Sequence, residues 1–116
     1  MTKPRDYFTG KQEEFKRSEV QIAPYNPRKI SPQQKATLKR SIRKFGVVGG
    51  ITVNKQTMTI VGGNQKVTIV DEIMGYPEKD YALLAEAIDV DYKTEVELNL
   101  MLNSCLLYTS DAADEL

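Results

Sequence analysis

Short β-branched runs alternate along the chain with longer segments whose apolar residues recur at helical spacing. Four short runs predict strands, at residues 19–22, 51–54, 58–61 and 87–90. In the first run Val20 and Ile22 share one face, as expected for a half-buried strand. Residues 55–57 separate the second run from the third, which predicts a hairpin. Residues 76–86 predict a loop or a short irregular helix.

The first helix has clear signals at both ends. Ser31 can cap it, Pro32 suits the first helical position, and Gln34 can close a capping box. The helix is predicted to run to Phe45 and to end at Gly46. Its apolar face consists of Leu38, Ile42 and Phe45.

Residues 64–74 and 94–102 predict two further helices. In the first, which ends at Gly75, the apolar positions are Val67, Val70, Ile73 and Met74. In the second, the inward candidates are Val96, Leu100 and one of Leu98 and Met101. The resulting order is β-α-β-β-α-β-α. It predicts an α/β domain in which helices pack on a small mixed sheet.

The composition fits one domain with a modest core, since the 116 residues are 41% hydrophobic and 28% charged. Residues 1–18 hold few large apolar groups and predict a flexible or loosely docked leader before a domain at 19–104. No apolar run approaches a membrane span and no secretory signal is evident, so we expect a cytoplasmic setting. The chain lacks histidine, the commonest general base and zinc ligand.

The two halves of the chain carry opposite charge. Residues 1–70 hold 14 Lys and Arg against 4 Asp and Glu, whereas residues 71–116 hold 2 against 12. Residues 28–44 hold 7 basic residues and no acidic one. This run predicts that the first helix contacts a DNA backbone, unless the two halves only neutralise each other. The predicted contacts are Lys35, Lys39, Arg40, Arg43 and Lys44.

A glycine pair, Gly62-Gly63, joins a predicted strand to a predicted helix. Glycines let a ligand approach the backbone closely. The first amides of a helix point back at such a turn and can bind an anion. A phosphate would therefore sit here, unless the pair is only a tight connection.

Several motifs, in their order and spacing, resemble the ParB/sulfiredoxin superfamily in its ParB N-terminal (ParB-like nuclease) branch. The motifs are Asn26-Pro27-Arg28, Leu38 to Gly46, Ile51-Thr52-Val53 and Ile60-Val61-Gly62-Gly63. The resemblance covers about residues 19–103 and implies a DNA- or nucleotide-binding module from a phage or mobile element. It implies that the ligands are DNA and CTP or another nucleotide with Mg²⁺, and that the protein forms a homodimer. No membrane partner is expected, because no apolar run is long enough to span a membrane. The implied phosphate- and nucleotide-binding residues are Asn26, Arg28, Gly62, Gly63, Asn64, Gln65 and Lys66.

The turn departs from its relatives where they carry their chemistry. In partition proteins the glycine precedes an acidic residue and two arginines that grip the triphosphate, whereas Asn64, Gln65 and Lys66 follow Gly63 here. Lysine offers a point charge instead of a bidentate fork, so we expect weakened nucleotide binding. In sulfiredoxins a catalytic cysteine takes the place of Asn64. An amide is not a nucleophile, so sulfiredoxin activity is not expected.

Two other functions remain open at this point. One is an enzyme, either a degenerate ParB-like nuclease or nucleotide hydrolase, or the N-terminal module of a DNA methyltransferase. No catalytic residue and no metal ligand stands out for it. The other is a protein-interaction module that uses the acidic second half. Glu95 and Glu97 are interpreted instead as solvated residues on opposite sides of a helix.

The end of the chain carries a resemblance of a different kind. Residues 105–115 resemble the translated product of a transposon-based sequencing-library adapter. On that interpretation Cys105 is not native, and the true protein is longer and continues beyond about Ser104. We therefore expect residues 105–116 to be a non-native tail and the domain to be a fragment.

Overall fold

The computed structural model describes residues 10–25 and 30–102 of the chain. These residues form five strands: Lys11–Lys16 (β1), Gln21–Ile22 (β2), Thr52–Asn54 (β3), Thr59–Gly62 (β4) and Ala82–Ile88 (β5). The helices are Pro32–Phe45 (α1), Asn64–Met74 (α2) and a third, α3, over residues 92–102. The predicted α/β class is confirmed. The predicted tail at 105–116 lies outside the described residues.

The strands form one mixed sheet in the order β1-β5-β3-β4-β2. β5 pairs antiparallel with β1 and parallel with β3. β3 and β4 form the predicted antiparallel hairpin, in which Val53 lies opposite Ile60. β4 also pairs with β2 on its other side. Because β4 is held on both sides, the turn that follows it has a fixed position.

The leader predicted for residues 1–18 needs correction, because residues 11–16 form β1. This strand is rich in Lys, Gln and Glu, and the composition alone is typical of a solvated segment. It lies at the sheet edge, where charged residues are common because they discourage pairing with other chains. Phe15 is its buried anchor and lies opposite Leu83 of β5. Residues 1–9 lie outside the described part of the chain.

The loop predicted for residues 76–86 is also wrong over its second half, where β5 begins. Leu83, Ala85 and Ala87 face the core, while the residues between them are exposed. Alanine and glutamate are weak strand formers, and Leu84 is 61% exposed, so the two-residue period was hidden.

The hydrophobic core joins strand residues to α2. Its most buried members include Val53, Ile60, Val67 and Ala85. By contrast, α1 has no buried residue, and Phe45 on its predicted apolar face is 68% exposed. α1 lies against α2 rather than inside the core.

α3 is buried through polar side chains, contrary to prediction. Glu95 and Asn99 are 0% and 1% exposed, whereas Leu100 is 56% exposed. Sequence patterns favour apolar residues inside because a buried polar group costs free energy unless it finds hydrogen-bond partners. Here the partners come from distant parts of the chain. Within residues 10–25 and 30–102, no helix is both long and apolar enough to cross a membrane.

Candidate anion-binding site

The turn between β4 and α2 requires glycine at its second position. Gly63 has φ 86° and ψ 21°, a left-handed conformation that L-residues with a side chain rarely adopt. A Cβ atom there would lie 2.6 Å from Cδ1 of Ile51 and 3.2 Å from the carbonyl oxygen of Gly50. Packing alone thus accounts for Gly63.

The same geometry leaves the amino end of α2 without a side-chain cap. Gly63 stands at the cap position, and no side chain hydrogen-bonds there. The first turn of α2 holds no acidic residue. Helical bonding begins with the amide of Val67, which donates to the carbonyl of Gly63 at 3.0 Å. The preceding backbone N–H groups therefore have no partner within the helix and concentrate partial positive charge at the turn.

Asn64 has a structural task. Its side chain is 6% exposed, and its Oδ1 accepts a hydrogen bond from the backbone N–H of Ala23 at 3.1 Å. Its carbonyl oxygen accepts another from Oγ1 of Thr68 at 2.9 Å. Because the side-chain oxygen is engaged in this way, the predicted contact of Asn64 with phosphate would have to come from its backbone N–H. The asparagine instead fastens the start of the loop after β2 to the turn.

Lys66 reaches across to a loop that the sequence interpretation missed. Its Nζ donates to the carbonyl oxygen of Val48 at 2.7 Å. A Cβ atom on Gly49 would lie 2.6 Å from this Nζ, so the loop passes directly over the lysine. The signal was present as a second glycine pair, Gly49-Gly50, between α1 and β3. Both of these glycines have positive φ.

α3 closes another side of the turn. Nδ2 of Asn99 donates to the carbonyl oxygen of Val61 at 3.0 Å. A Cβ atom on Gly62 would lie 3.1 Å from Cδ1 of Leu102, so the first glycine of the pair allows α3 to approach. The turn is therefore bordered by α3, by the loop at residues 46–50 and by the loop after β2.

The remaining predicted ligands of the turn add little to this geometry. Asn26 and Arg28 lie outside the described residues. Gln65 lies in the first turn of α2 and is half-buried. Among the predicted side chains, Asn64 and Lys66 are held at the turn by hydrogen bonds to the backbone of Ala23 and Val48.

The basic residues of α1 divide into two groups. Lys35 and Lys39 form ion pairs with Glu72 of α2, the second at 3.5 Å. These pairs, with hydrogen bonds to Glu72, lower the pKa of that carboxyl below its ordinary value. Arg40, Arg43 and Lys44 have no acidic partner among the described residues. They lie on exposed parts of α1.

A second charged network lies away from the turn. Arg17 is 7% exposed, and its guanidinium binds both carboxylate oxygens of Asp71, with Nε at 2.8 and 3.1 Å. The hydroxyl of Tyr81 donates to the same carboxylate at 2.7 Å. Burial and this hydrogen bond raise the pKa of Tyr81. The network fixes β1 and β5 to α2. Arg17, Asp71 and Tyr81 all take part in these structural contacts.

The described residues do not group the side chains that a metal ion needs. No three or more His, Cys, Asp or Glu residues lie together within 10–25 and 30–102.

Comparison with known proteins identifies the fold. No family model matches the chain, and no curated protein does. The C-terminally truncated chromosome-partitioning protein ParB from Caulobacter crescentus, solved with CTP-γ-S, matches with a TM-score of 0.62 at 21% identity. The match covers 81% of this chain and 53% of that one. The chain has a ParB-like N-terminal domain fold.

A second solved structure gives the same answer. The Pnob8-like ParB-N domain matches with a TM-score of 0.57 at 15% identity, over 78% of this chain and 34% of that one. The ParB-like domain thus spans about half the length of the Caulobacter crescentus structure. At these identities the likeness establishes the fold, as the sequence motifs predicted.

Proposed function

We propose that this ParB-like domain is a binding module for phosphate groups. It holds the phosphates of a nucleotide at the β4–α2 turn and a DNA backbone along α1. The observation that carries the proposal is the amino end of α2, where Gly63 is the cap residue and no side chain caps the helix. The first backbone N–H groups of a helix lie outside its helical bonding, and together with the helix dipole they favour an anion at such a position.

Lys66 supplies the positive charge in this proposal. In the described structure its Nζ is occupied by the carbonyl oxygen of Val48. A phosphate at the turn would compete with that neutral acceptor, and the ammonium group binds an anionic acceptor more strongly than a neutral carbonyl. The loop at residues 46–50 would lose this fastening when ligand binds. A similar fold in a protein complexed with CTP-γ-S supports a nucleotide as the ligand.

The turn favours binding over hydrolysis. Its residues include no acidic side chain and no histidine, so no general base is at hand. Mg²⁺ that accompanies a nucleotide is commonly held by phosphates and water, with few protein ligands. We assign the domain's own residues no role in coordinating it.

DNA binding rests on a separate observation. Arg40, Arg43 and Lys44 are exposed on α1 without an acidic partner in the described part of the chain. Such cations contact phosphates without reading sequence. We therefore expect binding that weakens steeply as salt rises.

Calorimetric titration with CTP and with ATP tests the nucleotide site. We expect binding by the wild type and about tenfold weaker binding by Lys66→Ala, because a hydrogen bond to a charged group is lost. Lys79→Ala removes an equal charge from the exposed turn after α2 and should bind as the wild type does. Equal weakening by both variants would mean that Lys66 acts only through the net charge of the protein and not through a contact at the turn. Absence of any binding would refute it.

The biological setting is part of the proposal. We expect a phage or mobile-element protein that is longer than this chain and forms a homodimer. Sequencing the uninterrupted gene tests the first two points and the adapter-derived tail together. Genomic DNA that encodes residues 105–115 within an intact locus would refute the adapter origin of these residues.

A further inference from the structure

Glu72 of α2 holds two of the lysines that are predicted to contact DNA. Its carboxylate pairs with Lys35 and Lys39, which stand one helical turn apart on α1. The three side chains are 37%, 44% and 33% exposed, so solvent reaches all of them. A polyanion could reach the same lysines from solvent.

α1 depends on this contact more than an ordinary amphipathic helix would. None of its residues is buried, and the element it packs against is α2. Its carboxyl end passes into Gly46, which has φ 82° and open space around it. A helix held this lightly can shift when its charged contacts change, because little apolar area is lost.

We propose that Glu72 is an internal competitor for the DNA backbone, and that it sets the affinity and salt dependence of binding along α1. The inference rests on the proposed DNA binding. While Glu72 pairs with Lys35 and Lys39, these cations are neutralised and displace few counterions from an incoming DNA strand. DNA phosphates that displace Glu72 form ion pairs with both lysines. α1 is then held less firmly to α2, because its charged contacts with Glu72 are lost. Binding of DNA and docking of α1 therefore oppose each other.

The test compares Glu72→Gln with Glu78→Gln in the full 116-residue chain. Glu78 is exposed in the turn after α2 and pairs with no described lysine, so its variant matches the change in net charge. Anisotropy titrations of a labelled duplex of random sequence are made at several salt concentrations between about 50 and 200 mM. We expect Glu72→Gln to bind about tenfold more tightly at low salt, with a slope of log K against log salt steeper by about 1 to 2. Glu78→Gln should change affinity less than about twofold.

A second set of variants shows which cations provide the gain. Adding Lys35→Gln and Lys39→Gln to Glu72→Gln should abolish it. In the free protein, hydrogen exchange of α1 amides should be faster in Glu72→Gln than in Glu78→Gln. Unchanged exchange would overturn the docking role of Glu72.

The outcomes separate this inference from the proposed function. If the wild type binds DNA and the two glutamate variants behave alike, the competitor role is overturned and DNA binding stands. If neither the wild type nor Glu72→Gln binds, DNA binding along α1 and the competitor role both fall. Glu72→Ala repeats the comparison with an apolar replacement and should give the same gain.

Discussion

Tyr25 and Glu95 stand 70 residues apart in the chain, yet the tyrosine hydroxyl donates a 2.7 Å hydrogen bond to the Glu95 carboxylate. The other carboxylate oxygen accepts from Nδ2 of Asn54 at 2.8 Å and from the hydroxyl of Thr57. The glutamate side chain is fully buried, and these three donors are neutral. One buried anion thus connects α3, the β3–β4 hairpin and the loop that leads to Asn26.

Removing the tyrosine hydroxyl should weaken this connection measurably. We expect Tyr25→Phe to lower the free energy of unfolding by about 1.5 to 3 kcal/mol, the usual range for a hydrogen bond to a charged group. Urea denaturation measures the change. Tyr92→Phe is the matched control, because Tyr92 is 59% exposed and contacts the Tyr25 ring edge-on at 6.0 Å. An equal loss in both variants would mean that the hydroxyl bond to Glu95 contributes nothing.

The same carboxylate makes stability depend on pH. Burial opposes ionisation of Glu95, but hydrogen bonds from Thr57, Tyr25 and Asn54 outweigh it and lower its pKa below the ordinary value of 4.5. Between the lowered pKa of the folded protein and the ordinary pKa of the unfolded chain, the unfolded chain binds the proton more readily than the folded one. The contribution of Glu95 is therefore complete above about pH 4.5 and is lost as the pH falls through the folded pKa.

Comparing Glu95→Gln with the wild type should reveal the pH-dependent contribution of Glu95 to the free energy of unfolding. We expect the variant to be less stable than the wild type at neutral pH, and the difference to shrink as the pH falls below 4.5. Urea unfolding at a series of pH values between neutral and about 3 measures it. Glu97→Gln, exposed on the same helix, should show a small difference with little pH dependence. A constant difference for Glu95→Gln across the series would contradict the prediction.

Local sequence signals located α1 and the turn well. The capping box at Ser31 and Gln34 is formed in both directions, because cap bonds connect neighbours and need no tertiary partner. The glycine pair marked the end of β4, since a left-handed residue is a local requirement. Motif order then indicated the ParB-like fold.

Long-range polar contacts were beyond the same reasoning. Glu95 was interpreted as solvated because its donors, Tyr25 and Asn54, lie far away in sequence. Arg17 was assigned to a leader because its partner Asp71 lies 54 residues onward. Hydrophobic periodicity carries no information about such partners, so the buried face of α3 and the strand before Arg17 were both missed.

The Arg17–Asp71 pair should be costly to break from one side. Arg17→Met leaves the Asp71 carboxylate largely buried without its cation, and we expect a loss of about 3 to 5 kcal/mol of unfolding free energy. Replacing both, as Arg17→Met with Asp71→Leu, should recover part of the loss because no unpaired charge remains. Urea denaturation measures both variants. Lys55→Met is the control, since its pair with Glu13 is solvent-exposed and should be worth less than about 1 kcal/mol.

Two glycines separate backbone strain from steric packing at the candidate site. Gly63 and Gly46 both have positive φ, 86° and 82°, but their ψ angles are 21° and −172°, and only Gly63 is crowded by Ile51. Gly46→Ala should therefore cost about 1 to 3 kcal/mol from strain alone, because its combination of φ and ψ is essentially restricted to glycine. Gly63→Ala should cost about 2 to 4 kcal/mol, because Cδ1 of Ile51 must also move.

The same pair tests the anion site. Gly63→Ala should also abolish nucleotide binding where the variant remains folded, because the added methyl displaces the first turn of α2. Gly46→Ala should retain binding, since open space surrounds the position. Urea denaturation followed by titration with CTP measures both effects. Retained binding in a folded Gly63→Ala protein would place the phosphate elsewhere than at the amino end of α2.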